Sequence, residues 1–377
     1  MAAVHAAENG ASVTVLEHND KTGRKICVTG NGRCNLTNII PKEDAYRGTH
    51  PEFVDAILEQ YPVKETLLFF DRIGLTFSER DGRVYPRSNQ AKCVPELLEQ
   101  KARSLKVKLK NREHVKDVFQ KDGVWNVQTD TWTYECDAVI LANGSPASEV
   151  EGADDSGWLL AQRLGHRVHK PLPALLGLKC KENGFAGWAG VRAEGIVSLF
   201  IDGEKITQEH GELQLTDYGV SGIPVFQLST YAVRALDEGK KVSLALNFFP
   251  EYTFAEADKL ITKRRMRFPW LSDAEVLEGM FPDKLVKVFL KQEEPRKAMT
   301  AFPLEVTGST GFAQAQVCSG GVDTGEVDPV TLESRRHKGL YFAGELLDID
   351  GACGGYNLQW AWSTGAVAGT YAAGGRL

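Results

Sequence analysis

The chain has 377 residues, 42% hydrophobic and 25% charged, and a formal net charge of −6. Such a composition suits two or three soluble globular domains, and its acidity argues against a nucleic-acid-binding footprint. No apolar run approaches the ~18 residues of a membrane span, no basic n-region marks a signal peptide, and the seven scattered cysteines lack a CxxC pair, so no metal site or disulfide framework is expected.

In chain order, residues 2–9 read as an Ala-rich helix stopped by Gly10. Ser12 to Leu16 is a short β-branched strand with Glu17 at its carboxyl end. Helix, glycine, strand and acid form the second half of a βαβ dinucleotide unit, in which the acid accepts from a ribose hydroxyl. Helical patterns follow near 51–60 and 63–73, then a hairpin at Asp81-Gly82 and a helix near 89–104. Residues 105–135 alternate as short strands with a turn at Asp122-Gly123, and 137–144 is a buried strand ending in a glycine turn.

From about 175 the pattern is β-rich, with a turn at Asp202-Gly203 and a helix near 222–235. Residues 253–300 are helical and charged, broken at Pro269, Pro282 and Pro295. The basic run Lys263 to Arg267 reads as a solvated helix face. Strands are expected at 302–307 and 312–318, then at Leu340 to Ala343, before a small-residue helix from Leu358 to Ala373. The reading is an α/β protein with a nucleotide domain built from both chain ends, 1–174 and 319–377, and an inserted domain at 175–318.

Two segments carry chemistry. In Gly23-Arg24-Lys25-Ile26-Cys27-Val28-Thr29-Gly30-Asn31-Gly32-Arg33-Cys34-Asn35-Leu36-Thr37-Asn38, Gly30 and Gly32 permit close backbone approach. Arg33 offers a planar charged donor set suited to phosphate. The stretch is too glycine-rich for a regular element and reads as a ligand-cradling loop rather than a structural turn, though composition leaves the phosphate unspecified. At the other end, Gly344-Glu345 follows a strand and Gly354-Gly355 precedes a helix. That helix N-terminus favours negative charge; the alternative is a plain strand–turn–helix connection.

These two runs, with GELQLTDYGVSGIPVFQLS at 211–229 and CSGGVDTGEVDP at 318–329, resemble the bacterial NAD(P)/FAD-dependent, aminoacetone oxidase-like flavoproteins that include BaiN-type bile-acid enzymes. The resemblance runs through nearly the whole chain. It implies a Rossmann-like FAD-binding domain with an inserted β-barrel-like and helical substrate domain. It also implies hydride transfer between a small organic substrate and flavin, with NAD(P)H or O₂ as the other redox partner. Carried over, Glu17 would bind the adenosine ribose and Val115 the adenine. Gly32, Arg33 and Cys34 would line the phosphates or flavin. Gly344 and Glu345 would meet the ribityl-phosphate, and Gly355, Tyr356, Asn357 and Leu358 the flavin ring. Lys25, Gly30, Ala142 and Gly144 complete the expected cofactor contacts.

Two departures from the family pattern stand out. The usual Ala-Thr-Gly is here Ala142-Asn143-Gly144, a mild change because Asn tolerates left-handed geometry. The apolar strand and glycine-rich loop expected before residue 2 are not in the chain. Losing such a strand would remove on the order of 6–12 kcal/mol of burial, comparable to a domain's ~5–15 kcal/mol. The alternative expectation is therefore a truncated flavoprotein with weak FAD binding and no activity, or a non-catalytic binding protein. No catalytic acid or base is assigned. Cys34 and Cys353 would lie near the flavin, without the local pairing of a redox dithiol. His210 and Tyr218 could face substrate but are ordinary structural residues in the bland reading. The expected partner is a small molecule, with no nucleic acid or membrane, and the expected location cytoplasmic.

Overall fold

The computed structural model describes residues 1–377. It divides into two compact units, Met1–Pro171 with Gln316–Leu377, and Leu172–Ala315.

In the first unit the helix Ala2–Glu8 ends at Asn9 and Gly10, whose φ of +89° gives the left-handed turn that releases the chain into the strand Thr14–Glu17. That strand pairs in parallel with Lys108–Asn111, and Val139–Leu141 pairs in parallel with Leu340–Phe342. The four strands form two separate two-stranded sheets. Lys108–Asn111 thus belongs with the first strand, and the antiparallel meander comprises only Val115–Lys121, Val124–Thr129 and Thr133–Cys136.

The helix Tyr356–Ala372 is the spine of this unit. Its residues from Gln359 to Thr370 are buried almost without interruption, as expected of a helix apolar all round. Gly365 and Gly369 bring its backbone against Met1 and Ala2, and a Cβ at Gly369 would collide with the Ala2 carbonyl. The helix tolerates the ~1 kcal/mol propensity cost of each glycine because the first helix could not otherwise dock. It begins two residues earlier than the periodicity suggests, because Gly355 adopts the left-handed cap (φ +105°).

The second unit is a closed antiparallel barrel. Its order is Leu178–Cys180, Gly219–Ser221, Glu204–Leu215, Arg192–Ile201, Val242–Asn247 and Phe302–Ser309. Alternation fills its interior: Val197 and Leu199, then Val242, Leu244 and Leu246, then Phe302, Leu304 and Val306 are buried. Closure leaves no free strand edge. The helix Ile223–Asp237 and four shorter helices complete the unit. Two of those start with full capping boxes, Thr253 with Glu256 and Ser272 with Glu275. Pro282 and Pro295 stand at helix starts rather than breaking helices, since the missing N–H costs nothing there.

Two expectations are corrected. Residues 312–318 are not one strand: Phe312–Gln314 is a 3₁₀ turn entered through Gly311 (φ +83°), and the strand is Val317–Val322. The segment after Gly23 is not wholly irregular, because Arg24–Gly32 opens as helix and leaves helical geometry only at Thr29, Gly30 and Asn31. Arg-Lys-Ile-Cys-Val contains no breaker, so it coils until the glycines intervene.

Candidate functional site

The two chain-end segments dock on one another. Gly30 and Asn31 are left-handed (φ +56° and +54°), and Gly32 and Cys34 follow at +77° and +58°. This sequence of turns leaves Gly30 to Arg33 exposed while Cys34, Leu36 and Thr37 plunge into the interior. There Trp362 Nε1 donates to the Leu36 carbonyl at 2.9 Å, and Asn38 Nδ2 donates to the Gly354 carbonyl at 3.0 Å. The Thr37 hydroxyl donates to Gln359 Oε1 at 2.6 Å, and Gln359 Nε2 donates to Thr66 Oγ1 and Ser363 Oγ. A Cβ at Gly355 would lie 2.6 Å from the Thr37 carbonyl carbon, so only glycine permits this approach. Asn35 Oδ1 is buried beside it with no hydrogen-bond partner.

Several residues expected to contact the cofactor are tied to the protein itself. Asn357 accepts from the Gly351 N–H and donates to the Gly351 carbonyl, both at 2.7 Å. The Tyr356 hydroxyl donates to the Ile40 carbonyl at 3.0 Å, and the Tyr46 hydroxyl donates to the Tyr356 carbonyl at 3.1 Å. Gly344 donates its N–H to Thr364 Oγ1, and its carbonyl accepts from Trp360 Nε1. Leu358 is half-buried.

A second group lies where the strands Val139–Leu141 and Leu340–Phe342 end side by side. Parallel pairing puts Ala142 and Gly144 on the same carboxyl edge as Gly344 and Glu345, the edge at which open α/β sheets bind ligands. Lys25 Nζ donates to the Ala147 carbonyl at 2.7 Å and to Ser148 Oγ at 3.1 Å. Burial lowers the pKa of this ammonium, and the nearby Glu345 charge opposes that shift. Glu345 Oε1 accepts from the Cys318 N–H at 2.8 Å. Cys318 was not anticipated; burial pushes its thiol up to about 12.

The third group is at the carboxyl end of Thr14–Glu17. Glu17 Oε1 accepts from the backbone and side-chain nitrogens of Asn19 at 2.9 and 3.1 Å. The Glu17 carbonyl accepts from the Glu113 N–H at 3.0 Å, which brings Val115, the first residue of its strand, into the same corner. His18 and His114, which sequence reasoning passed over, meet here.

Other candidates are placed differently. Burial pushes the Cys34 thiol up to about 12 and raises that of Cys353, so neither is a ready thiolate, and neither forms a disulfide. His210 is exposed on the barrel and pairs with Glu194 at 3.4 Å. The Tyr218 ring packs over Gly177 within the barrel unit.

The model of the HI0933-like protein Rossmann domain matches residues 1–371. The chain belongs to this family. Its members are flavoprotein oxidoreductases. A 3-dehydro-bile acid delta(4,6)-reductase from Clostridium scindens is 41% identical over 392 residues, covering 99% of this chain and 96% of that protein. A ribosomal RNA dihydrouridine synthase from Escherichia coli is 28% identical over 388 residues, covering 95% and 91%. Among solved structures, 3-ketosteroid delta1-dehydrogenase from Sterolibacterium denitrificans superposes with a TM-score of 0.52 at 12% identity, covering 99% of this chain and 97% of that one. That likeness is one of fold. No helix of the chain is long and apolar enough to cross a membrane.

The residues present suit a dinucleotide flavin. The exposed turn at Gly30–Gly32 with Arg33 offers charge for phosphate, and the 17-residue helix after Gly355 presents its N-terminus. Asn35 Oδ1 is a buried acceptor awaiting a donor.

Proposed function

We propose that the chain is an FAD-dependent reductase that saturates a ring carbon–carbon double bond conjugated to a carbonyl, on a small molecule, with NAD(P)H as the source of electrons. The observation that carries this reading is the 41% identity, over 99% of the chain, to a reductase named for such a bond. The second relative's name points to the same chemistry, since dihydrouridine differs from uridine by two hydrogens across a bond conjugated to a ring carbonyl. The net charge of −6 favours a small substrate over a polyanionic RNA.

When bound, the flavin supplies hydride transfer at N5. The chain's own groups bind and orient. Glu17 accepts from the adenosine ribose, the Val115 backbone meets the adenine, and Arg33 with the Gly30–Gly32 turn holds phosphate. Lys25, Ala142, Gly144, Gly344 and Glu345 form the edge under the ribityl chain. The helix end at Gly355 favours negative charge on the ring, and Asn35 gives it an acceptor. Tyr356 and Asn357 hold the loops that shape the pocket. Seven cysteines without a disulfide suit a reducing compartment, and a cytoplasmic location is part of the proposal.

The test is anaerobic. The chain is loaded with FAD, reduced with dithionite, and mixed with a 3-oxo-4-ene steroid or with a uridine-rich RNA. Reoxidation of the flavin by the steroid alone is expected. Reoxidation by the RNA alone would move the assignment to RNA, and reoxidation by neither would sink the proposed chemistry. A chain that takes up no FAD would remove the cofactor assignment itself.

A further inference from the structure

The Glu17 corner contains a cluster that flavin chemistry does not use. His18 Nδ1 and His114 Nδ1 are 3.3 Å apart, and His18 Nδ1 is 3.9 Å from Asp154 Oδ2. All three ligand atoms lie within 4.8 Å of one another. We infer that His18, His114 and Asp154 form a binding site for a divalent transition-metal ion of the zinc class.

The geometry matches the ion. Zinc–nitrogen bonds of about 2.0–2.1 Å at a tetrahedral angle place two ligand nitrogens about 3.3 Å apart. The imidazole nitrogens already stand at that separation, with ring planes 60° apart. The carboxylate needs to close by roughly half an ångström toward His18, and by up to about 1.5 Å toward His114, to reach the same spacing.

The ligands are held in place by the fold. His18 directly follows the strand Thr14–Glu17 and His114 directly precedes Val115–Lys121. The Glu113 N–H to Glu17 carbonyl bond fixes these two segments side by side. Asp154 Oδ1 accepts from the Ser156 N–H at 2.9 Å, which leaves Oδ2 aimed at His18. Anchoring one carboxylate oxygen from outside is how ligating side chains are oriented in built metal sites.

The electrostatics also call for a cation. Two imidazole nitrogens and a carboxylate oxygen lie within 4.8 Å of one another. A single proton shared between the imidazoles satisfies both nitrogens and leaves Asp154 Oδ2 with only the His18 ring, 3.9 Å away, beside it. A divalent ion satisfies all three, and two imidazoles with one carboxylate suit zinc, nickel or copper. All three residues are half-buried, with side-chain exposures of 32% for His18 and 37% for Asp154. An ion can therefore enter, and water can complete its shell. A bound ion would staple together the segments that carry Glu17 and Val115. The inference rests on this geometry and not on the flavin reading.

The experiment uses the full chain, stripped with chelator and free of flavin, titrated calorimetrically with Zn²⁺ and spectroscopically with Co²⁺. One equivalent bound at micromolar concentration is expected, with cobalt d–d bands of a nitrogen–oxygen site and no thiolate charge-transfer band. His114→Gln should weaken that equivalent by more than about tenfold, since losing even a residue that only orients a ligand costs that much. Asp154→Asn, a near-isosteric change at a half-exposed position, should weaken it too and keeps the test decisive if His114→Gln misfolds. Cys93→Ser should leave it unchanged. Binding that survives both ligand substitutions, a thiolate band, or no binding below millimolar Zn²⁺ would overturn the site and leave a hydrogen-bonded histidine pair.

Discussion

The junction of the chain ends and the Glu17 corner are both assembled from polar residues, yet they do opposite things with them. At the junction nearly every polar group has a partner within the protein: Asn357 clamps Gly351, Gln359 serves Thr37, Thr66 and Ser363, and Tyr356 reaches Ile40. At the corner, two imidazoles and a carboxylate face one another, 3.3 Å between the rings and 3.9 Å from His18 to Asp154. Residue type alone marks the first region as ligand-binding and, in the second, picks out Glu17 but passes over the histidines and Asp154. Whether a polar side chain is structure or site depends on whether the fold has already satisfied it.

The sharpest way to break this comparison is at Gly355. Gly355→Val places branched carbon against the Thr37 carbonyl at a left-handed position. It should cost about 4 kcal/mol or more in urea unfolding and abolish flavin retention with it. A well-folded variant would mean the two segments are not locked together. Gln359→Leu comes next. It strips Thr37 and Thr66 of partners in a site that is 2% exposed. A loss of about 2–4 kcal/mol by the same measurement is expected, and a change below ~1 kcal/mol would show that the network is dispensable.

The sequence made the local grammar of the first unit readable for physical reasons. Gly10 stops a helix because only glycine takes φ +89° cheaply, and the β-branched run after it has one good conformation. In the second unit the sequence marked a β-rich stretch from about 175 and a strand at 302–307, without separating the barrel's individual strands. The failures are equally specific. Gly311 diverts Phe312–Gln314 into a 3₁₀ turn although the apolar spacing continues through it. Arg24 to Val28 coils because nothing stops it before the glycines. The histidine pair was invisible because its members are 96 positions apart in the sequence and no spacing rule reaches that far. The partner of each polar side chain is a tertiary fact.

Asn35→Leu sharpens the comparison from within the junction, because Asn35 Oδ1 is the buried acceptor there without a partner. An orphan acceptor costs stability until a ligand pairs with it. The substitution should therefore raise the stability of the flavin-free chain by up to about 1 kcal/mol and weaken FAD binding roughly fivefold to tenfold. Thermal unfolding and a fluorescence titration read the two effects separately. If both move in the same direction, the acceptor does not face the cofactor.

The smallest effect is expected at Tyr356. Its ring packs against Tyr46 at 6.1 Å, edge to face, and its hydroxyl is committed to the Ile40 carbonyl. If that tether is its role, Tyr356→Phe keeps the ring, loses one hydrogen bond, and should cost about 0.5–1.5 kcal/mol. FAD affinity and the flavin spectrum should then stay unchanged, because nothing directed at the cofactor has been removed. A shifted flavin spectrum or a tenfold loss of affinity, at unchanged stability, would place the hydroxyl on the flavin instead. That result would move Tyr356 from the satisfied class to the ligand-facing one, and with it the boundary between structure and site at this end of the chain.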